Sequence, residues 1–192
     1  MECLSPEEIL KLSLLLHAAP TLSGLKPGTL INYLYDTTFN WTTIWIEYGS
    51  LILQEKSLNF FALARKKVYQ VVIYHLPSVD IILQNKNNRA FLQKLGYQEG
   101  LTSLNFISIL QEKLQQKTFP HEIGLLLGIP LKDVEGFMQI YPLPYQGSFH
   151  WRIYGKPFHS LLTALLYHEI QEQVHKLFQQ KYSLEYIWQY VT

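Results

Sequence analysis

The chain has a single cysteine, no excess of charge of either sign and no long apolar run, and each shortage removes a class of protein. With Cys3 alone, no intrachain disulfide can form and no cysteine-rich zinc site can be assembled, so neither an oxidised secreted scaffold nor a zinc ribbon fits. Sixteen Lys/Arg against fifteen Asp/Glu leave a formal charge of +1, so no global field draws the chain to a phosphate backbone or to an anionic lipid surface. The longest aliphatic runs, such as Leu14-Leu15-Leu16 and Leu125-Leu126-Leu127, fall far short of the roughly 20 residues that cross a bilayer. The start, with Glu2, Glu7 and Glu8, lacks the basic-then-apolar order of an export signal, so the expectation is a cytoplasmic protein with no membrane partner. A Gly-rich phosphate loop, a Gly-x-Ser-x-Gly elbow and an acidic cluster for magnesium are also missing. No metal is therefore expected, and the cofactor stays unknown.

What is present is a core. Of 192 residues 48% are apolar and 14% aromatic, enough to fold without metal or disulfide staples. The pattern predicts an α+β protein, predominantly helical with a small antiparallel sheet, forming one domain over 1–192 with C-terminal helices at 158–190 packing on it. Ser5, Pro6, Glu7 and Glu8 make a helix start of cap, N-terminal proline and acidic first turn. Pro20 predicts that this helix stops near His17, and a short helix is expected over 29–35. Trp41, Ile44, Trp45, Tyr48, Leu51 and Ile52 recur at helical spacing and predict an amphipathic helix with an aromatic face. The β-branched and aromatic runs on either side of Arg65-Lys66-Lys67 predict a hairpin at about 58–75 with both faces apolar. A third strand is expected at about 149–154. Helical patterns occupy 79–83, 89–95, 101–116, 158–180 and 184–190.

The most informative stretch runs from Phe119 to Phe137. Pro120 and Glu122 suit a first turn, Gly128 a stop and Pro130 a new start, which gives two short helices joined by a tight turn. The spacing is that of a helix-turn-helix, with Val134 and Phe137 as inward anchors. The outward residues of its second helix would be Lys132, Asp133 and Glu135. Two carboxylates facing a groove lined by phosphates are repulsive, and no Arg, Asn or Gln leads that helix to grip base edges, so DNA binding through 120–138 is disfavoured and no nucleic acid is expected as partner.

Here the sequence resembles a known family, the bacterial proteins of domain-of-unknown-function family 3793. The likeness rests on Phe119-Pro120-His121-Glu122-Ile123-Gly124, with Leu127-Gly128, Pro130-Leu131, Asp133-Val134 and Gly136-Phe137 in register. It extends to His17, Ala19-Pro20-Thr21-Leu22, Gly24, Leu25, Lys26 and Pro27, to Leu95-Gly96-Tyr97, and to Trp151, Tyr154 and Gly155. It covers most of 1–158, with the C-terminal helices outside it. The resemblance implies a bacterial, cytoplasmic protein and carries over no catalytic residue. One departure stands out: where the family pattern has His-Cys-Ala-Pro-Thr-Leu, this chain has His17-Ala18-Ala19-Pro20-Thr21-Leu22. A cysteine mechanism is therefore disfavoured.

Both motifs place a histidine beside a proline and a helix end. With His17 at the end of its helix, the dipole would favour the imidazolium. The candidate ligand-binding residues are His17, Thr21, Lys26, His121 and Glu122, with Trp151 and Tyr154 walling the pocket. The plain alternative is that these residues cap and pack. Three functions compete: a small-ligand-binding or accessory protein, an enzyme using His121 as general base with Glu122 or Lys26 assisting, and a protein-interaction module that pairs with another protein or with itself. On the C-terminal helix His168, Glu172 and His175 share a stripe, but a di-iron site needs a second Glu-x-x-His and a zincin needs histidine at the position of Glu172, so a solvated face is the better reading.

Overall fold

The computed structural model describes residues 4–35, 38–116 and 118–191, and its contacts divide the chain into two compact units, Met1–His75 with Tyr167–Thr192 and Leu76–Leu166. The architecture is α+β, as expected, with a three-stranded antiparallel sheet and a separate two-stranded one. Cys3 lies outside the described residues.

In the first unit, Ser5 closes a capping box: its hydroxyl accepts the Glu8 N–H at 3.2 Å, and Glu8 Oε2 accepts the Ser5 N–H at 2.8 Å. Helix α1 (Pro6–Leu22) does not stop near His17; it continues through Pro20. Ala18, Ala19, Pro20, Thr21 and Leu22 are all buried, so packing outweighs the few kcal/mol that an interior proline costs. Ala18 is fully enclosed in the core.

The segment expected as a helix over 29–35 is instead strand β1 (Gly28–Leu34). Its alternation of buried Thr29, Ile31 and Tyr33 matches the period of a sheet. The expected hairpin forms from β2 (Asn59–Ala64) and β3 (Val68–Tyr74), and β3 takes the centre in the order β1-β3-β2. Ile31 faces Val71 and Phe60 faces Ile73, so one face joins the core. Lys66 and Lys67 are exposed at the tip, as their charge predicts.

Between β1 and β2, α2 (Trp41–Ile44) runs through a π-helical segment, Trp45–Gly49, into α3 (Ser50–Gln54). The extra residue of a π turn rotates the next helical turn about the axis. Ile52 and Leu53 are therefore buried, while Leu51, expected on the apolar face, is 66% exposed. Gly49 permits the tight contact here: a Cβ would lie 2.6 Å from Trp45 and 3.0 Å from Phe60.

In the second unit, α4 (Leu76–Gln84), α5 (Lys86–Lys94) and α6 (Ser103–Gln115) bury Val79, Phe91, Phe106 and Leu110. Asn85 and Thr102 cap α5 and α6. Then come α7 (Ile123–Leu126), α8 (Leu131–Phe137), β4 (Tyr145–Ser148) and β5 (Arg152–Tyr154). The strand expected at 149–154 is thus β5, paired with β4 and not with the hairpin. Helix α9 (Phe158–Gln179) starts in this unit and contributes from Tyr167 onward to the first, and α10 (Leu184–Val191) comes after it. Among the described residues, no helix is long and apolar enough to cross a membrane.

Candidate functional site

The paired short helices form as the sequence predicts. Gly128, at φ +72°, ends α7 in a Schellman arrangement: its N–H donates to the Leu125 carbonyl at 3.1 Å and the Ile129 N–H to that of Gly124 at 2.9 Å. Gly124 lets α8 approach, since a Cβ there would meet Val134 at 2.8 Å.

Helix α8 is fastened to β5 through Asp133, a residue the sequence placed outward and the structure buries. Oδ1 accepts from Lys132 Nζ at 2.7 Å and from the Tyr154 N–H at 2.9 Å; Oδ2 accepts from Trp151 Nε1 at 2.9 Å and from Ser160 Oγ at 2.5 Å. Lys132 also donates to the Tyr154 carbonyl at 2.7 Å. Four donors satisfy the buried carboxylate and Lys132 balances its charge, which is what keeping it inside requires. Neither residue is therefore an outward group on a recognition helix. Of the two carboxylates expected to face outward, Asp133 is buried and Glu135 is half-buried.

Between α7, α8 and the start of β5 lies a cavity of about 360 Å³. Phe119, Phe137 and Trp151 supply aromatic wall, Ile123, Leu127, Ile129 and Val134 aliphatic wall, and His121 and Arg152 the polar groups beside Asp133. His121 sits between two rings, 5.8 Å from Phe119 and edge-on 5.1 Å from Phe137. The Arg152 guanidinium lies 5.7 Å from the Phe137 centroid. Among the described residues, the side chains of His121 and Arg152 make no hydrogen bond or ion pair. Phe137, expected as an inward anchor, is 44% exposed and serves as wall; Val134 alone is the anchor.

The remaining expected residues lie elsewhere. Glu122 is buried away from the cavity lining, where Oε1 accepts from Lys113 Nζ at 2.6 Å and from the Tyr97 hydroxyl at 3.0 Å. The Lys113 ammonium also lies over the Tyr97 ring at 4.3 Å, and burial, with the Glu122 charge, pushes the Tyr97 phenol far above its ordinary pKa. The Tyr154 ring packs over Gly136 rather than lining the cavity. His17, Thr21 and Lys26 belong to the first unit and the cavity lining to the second. Thr21 is buried with its hydroxyl 2.7 Å from that of Thr29. His17 lies inside α1, and partial burial lowers its pKa in place of the rise expected at a helix end. Burial lowers Lys26 to about 8, and its ammonium stands 5.8 Å from the Tyr167 centroid.

Sequence reasoning missed the role of Asp133. The signal was its spacing from Gly136: three residues apart on one helical face, a small residue where a strand approaches and an acid to bind that strand. On α9, His175 Nδ1 lies 3.5 Å from Glu172 Oε1 on a half-exposed surface. Among the described residues, no group of three or more His, Cys, Asp or Glu is placed to hold a metal ion.

The fold and site define an α+β protein with an apolar cavity beneath a pair of short helices. The chain belongs to the family described as protein of unknown function (DUF3793), whose model matches residues 14–188. That match takes in the C-terminal helices, beyond the limit near residue 158 expected from the motifs. No curated protein and no solved structure matches the chain.

Proposed function

We propose that this protein binds a small, largely apolar molecule in the cavity formed by α7, α8 and β5. The observation that carries this reading is the cavity itself: a volume within the range of small-molecule sites, walled by three aromatic and several aliphatic side chains, with His121 and Arg152 as polar groups whose side chains make no hydrogen bond or ion pair among the described residues. The wall is held in place by the Asp133 hydrogen bonds, so the site is preorganised. His17, Thr21 and Lys26 are not part of that lining, and the proposed location of the protein is the cytoplasm.

The test is native mass spectrometry of protein purified from its own host, beside the Leu127→Trp variant, which fills the cavity. A retained small molecule in the wild type that is lost in the variant is the expected result; equal retention in both, or none in either together with no binding of an apolar fluorescent probe, would sink the reading. His121→Ala separates binding from catalysis: lost turnover at unchanged affinity would favour the enzyme.

A second reading, an interaction surface for another copy of the chain, is favoured by one observation. Phe158, Leu161, Leu162, Leu165 and Leu166 form an exposed row on α9 while Ser160 and Ala164 face inward. Sedimentation of the wild type beside Leu162→Glu distinguishes a dimer from a monomer.

A further inference from the structure

The cavity's polar groups are unequal in charge. Asp133 carries the negative charge of the lining, but both its oxygens are taken by four donors and Lys132 neutralises it, so it offers nothing to a ligand. Arg152 is the opposite case. The residue is exposed at the cavity, its guanidinium lies 5.7 Å from the Phe137 centroid and it has no hydrogen-bond or ion-pair partner among the described residues. A guanidinium with no such partner keeps its N–H edge open, and that edge matches a carboxylate in two-pronged fashion. His121 meets the same Phe137 ring edge-on and adds a further polar group to the lining.

We propose that the ligand is an organic monoanion: a flat apolar body held by Phe119, Phe137 and Trp151, carrying one carboxylate that pairs with Arg152. This rests on the reading of the cavity as a ligand site. A phosphate dianion fits less well, because one guanidinium balances one charge and no second Arg or Lys lines the cavity among the described residues. A cationic ligand would meet Arg152 head-on.

The test is calorimetric titration of the full chain with 2-naphthoate, its neutral isostere 2-naphthamide, and 2-naphthyl phosphate. Naphthoate should bind roughly tenfold more tightly than the amide, a preference that added salt erodes. Arg152→Gln, at an exposed residue whose side chain has no hydrogen bond to lose among the described residues, should erase that preference by weakening naphthoate more than the amide. Equal affinity for acid and amide, a preference that survives in Arg152→Gln, or tighter binding of the phosphate overturns the head-group proposal while the cavity reading stands. Failure of both acid and amide to bind, or binding indifferent to Leu127→Trp, overturns the cavity reading and this proposal with it.

Discussion

Trp151 donates its indole N–H to Asp133 Oδ2 at 2.9 Å, so one aromatic wall of the cavity is tied to the helix that forms another. The same carboxylate accepts the Tyr154 N–H, which holds the β5 backbone to α8. The shape of the cavity therefore depends on one buried charge.

Asp133→Ala is expected to destabilise the second unit by about 3 kcal/mol. It strands the Trp151, Tyr154 and Ser160 donors and leaves the Lys132 ammonium without its carboxylate. Denaturant unfolding monitored by tryptophan fluorescence measures the loss, and a change below about 0.5 kcal/mol, the usual range for a surface site, would contradict it.

Gly136→Ala should cost about 1–3 kcal/mol and weaken any ligand of the cavity. The new Cβ would stand 2.5 Å from Tyr154 Cγ and 2.6 Å from Tyr154 Cβ, atoms close to the backbone that cannot swing away. The strand has to move, and it carries Arg152 with it. Melting temperature and probe affinity should fall together; a stable variant with full affinity would show that the strand gives freely.

Glu122→Gln removes the negative charge beside the Tyr97 hydroxyl. Burial is the larger cause of the raised phenol pKa and persists in the variant, but the carboxylate's share disappears, so Tyr97 should ionise at lower pH than in the wild type. Ultraviolet difference titration of the two proteins reads this directly, and superimposable curves would refute it. A stability loss of about 1–3 kcal/mol should accompany the change as Lys113 loses its carboxylate.

Lys26 gives a pH dependence of known sign. Its folded pKa of about 8 lies below the ordinary value of 10.5, so between those two pH values the unfolded chain holds more protons and stability rises with pH. Below pH 8 the cost of burying the ammonium is complete. Lys26→Met should therefore stabilise the protein at pH 7 by on the order of 2 kcal/mol, after allowance for partial exposure, and the advantage should vanish by about pH 10.5. Denaturation midpoints of both proteins across that range are the measurement; an offset independent of pH would show that the methionine acts through packing alone.

The elements legible in the sequence are those whose signal is local. The hairpin, the capped start of α1, the paired short helices and the long α9 arise from alternation, caps, glycine stops and helical period within a few residues. The fold class is their sum. Two of the elements that differ from expectation share a cause. Residues 28–34 carry a mixed pattern that β3 resolves by offering a full edge of hydrogen-bonding partners, and Pro20 is accepted inside α1 because the residues around it are buried. In both, distant contacts outweigh a local preference.

The site divides in the same way. Phe119, Pro120 and His121 mark the cavity by their own pattern, and Trp151 is recognisable as a wall. By itself the sequence determined the charge balance, the class of fold and the family motif, because each is a sum or a spacing along one chain. Only the tertiary structure decided that Asp133 turns inward, that Glu122 turns away from His121 toward Lys113, and that the Arg152 side chain has no hydrogen-bond or ion-pair partner among the described residues. Lys132 is the neighbour of Asp133 in sequence, but the other donors that satisfy these two buried carboxylates come from 9 to 27 residues away, and no local pattern encodes that.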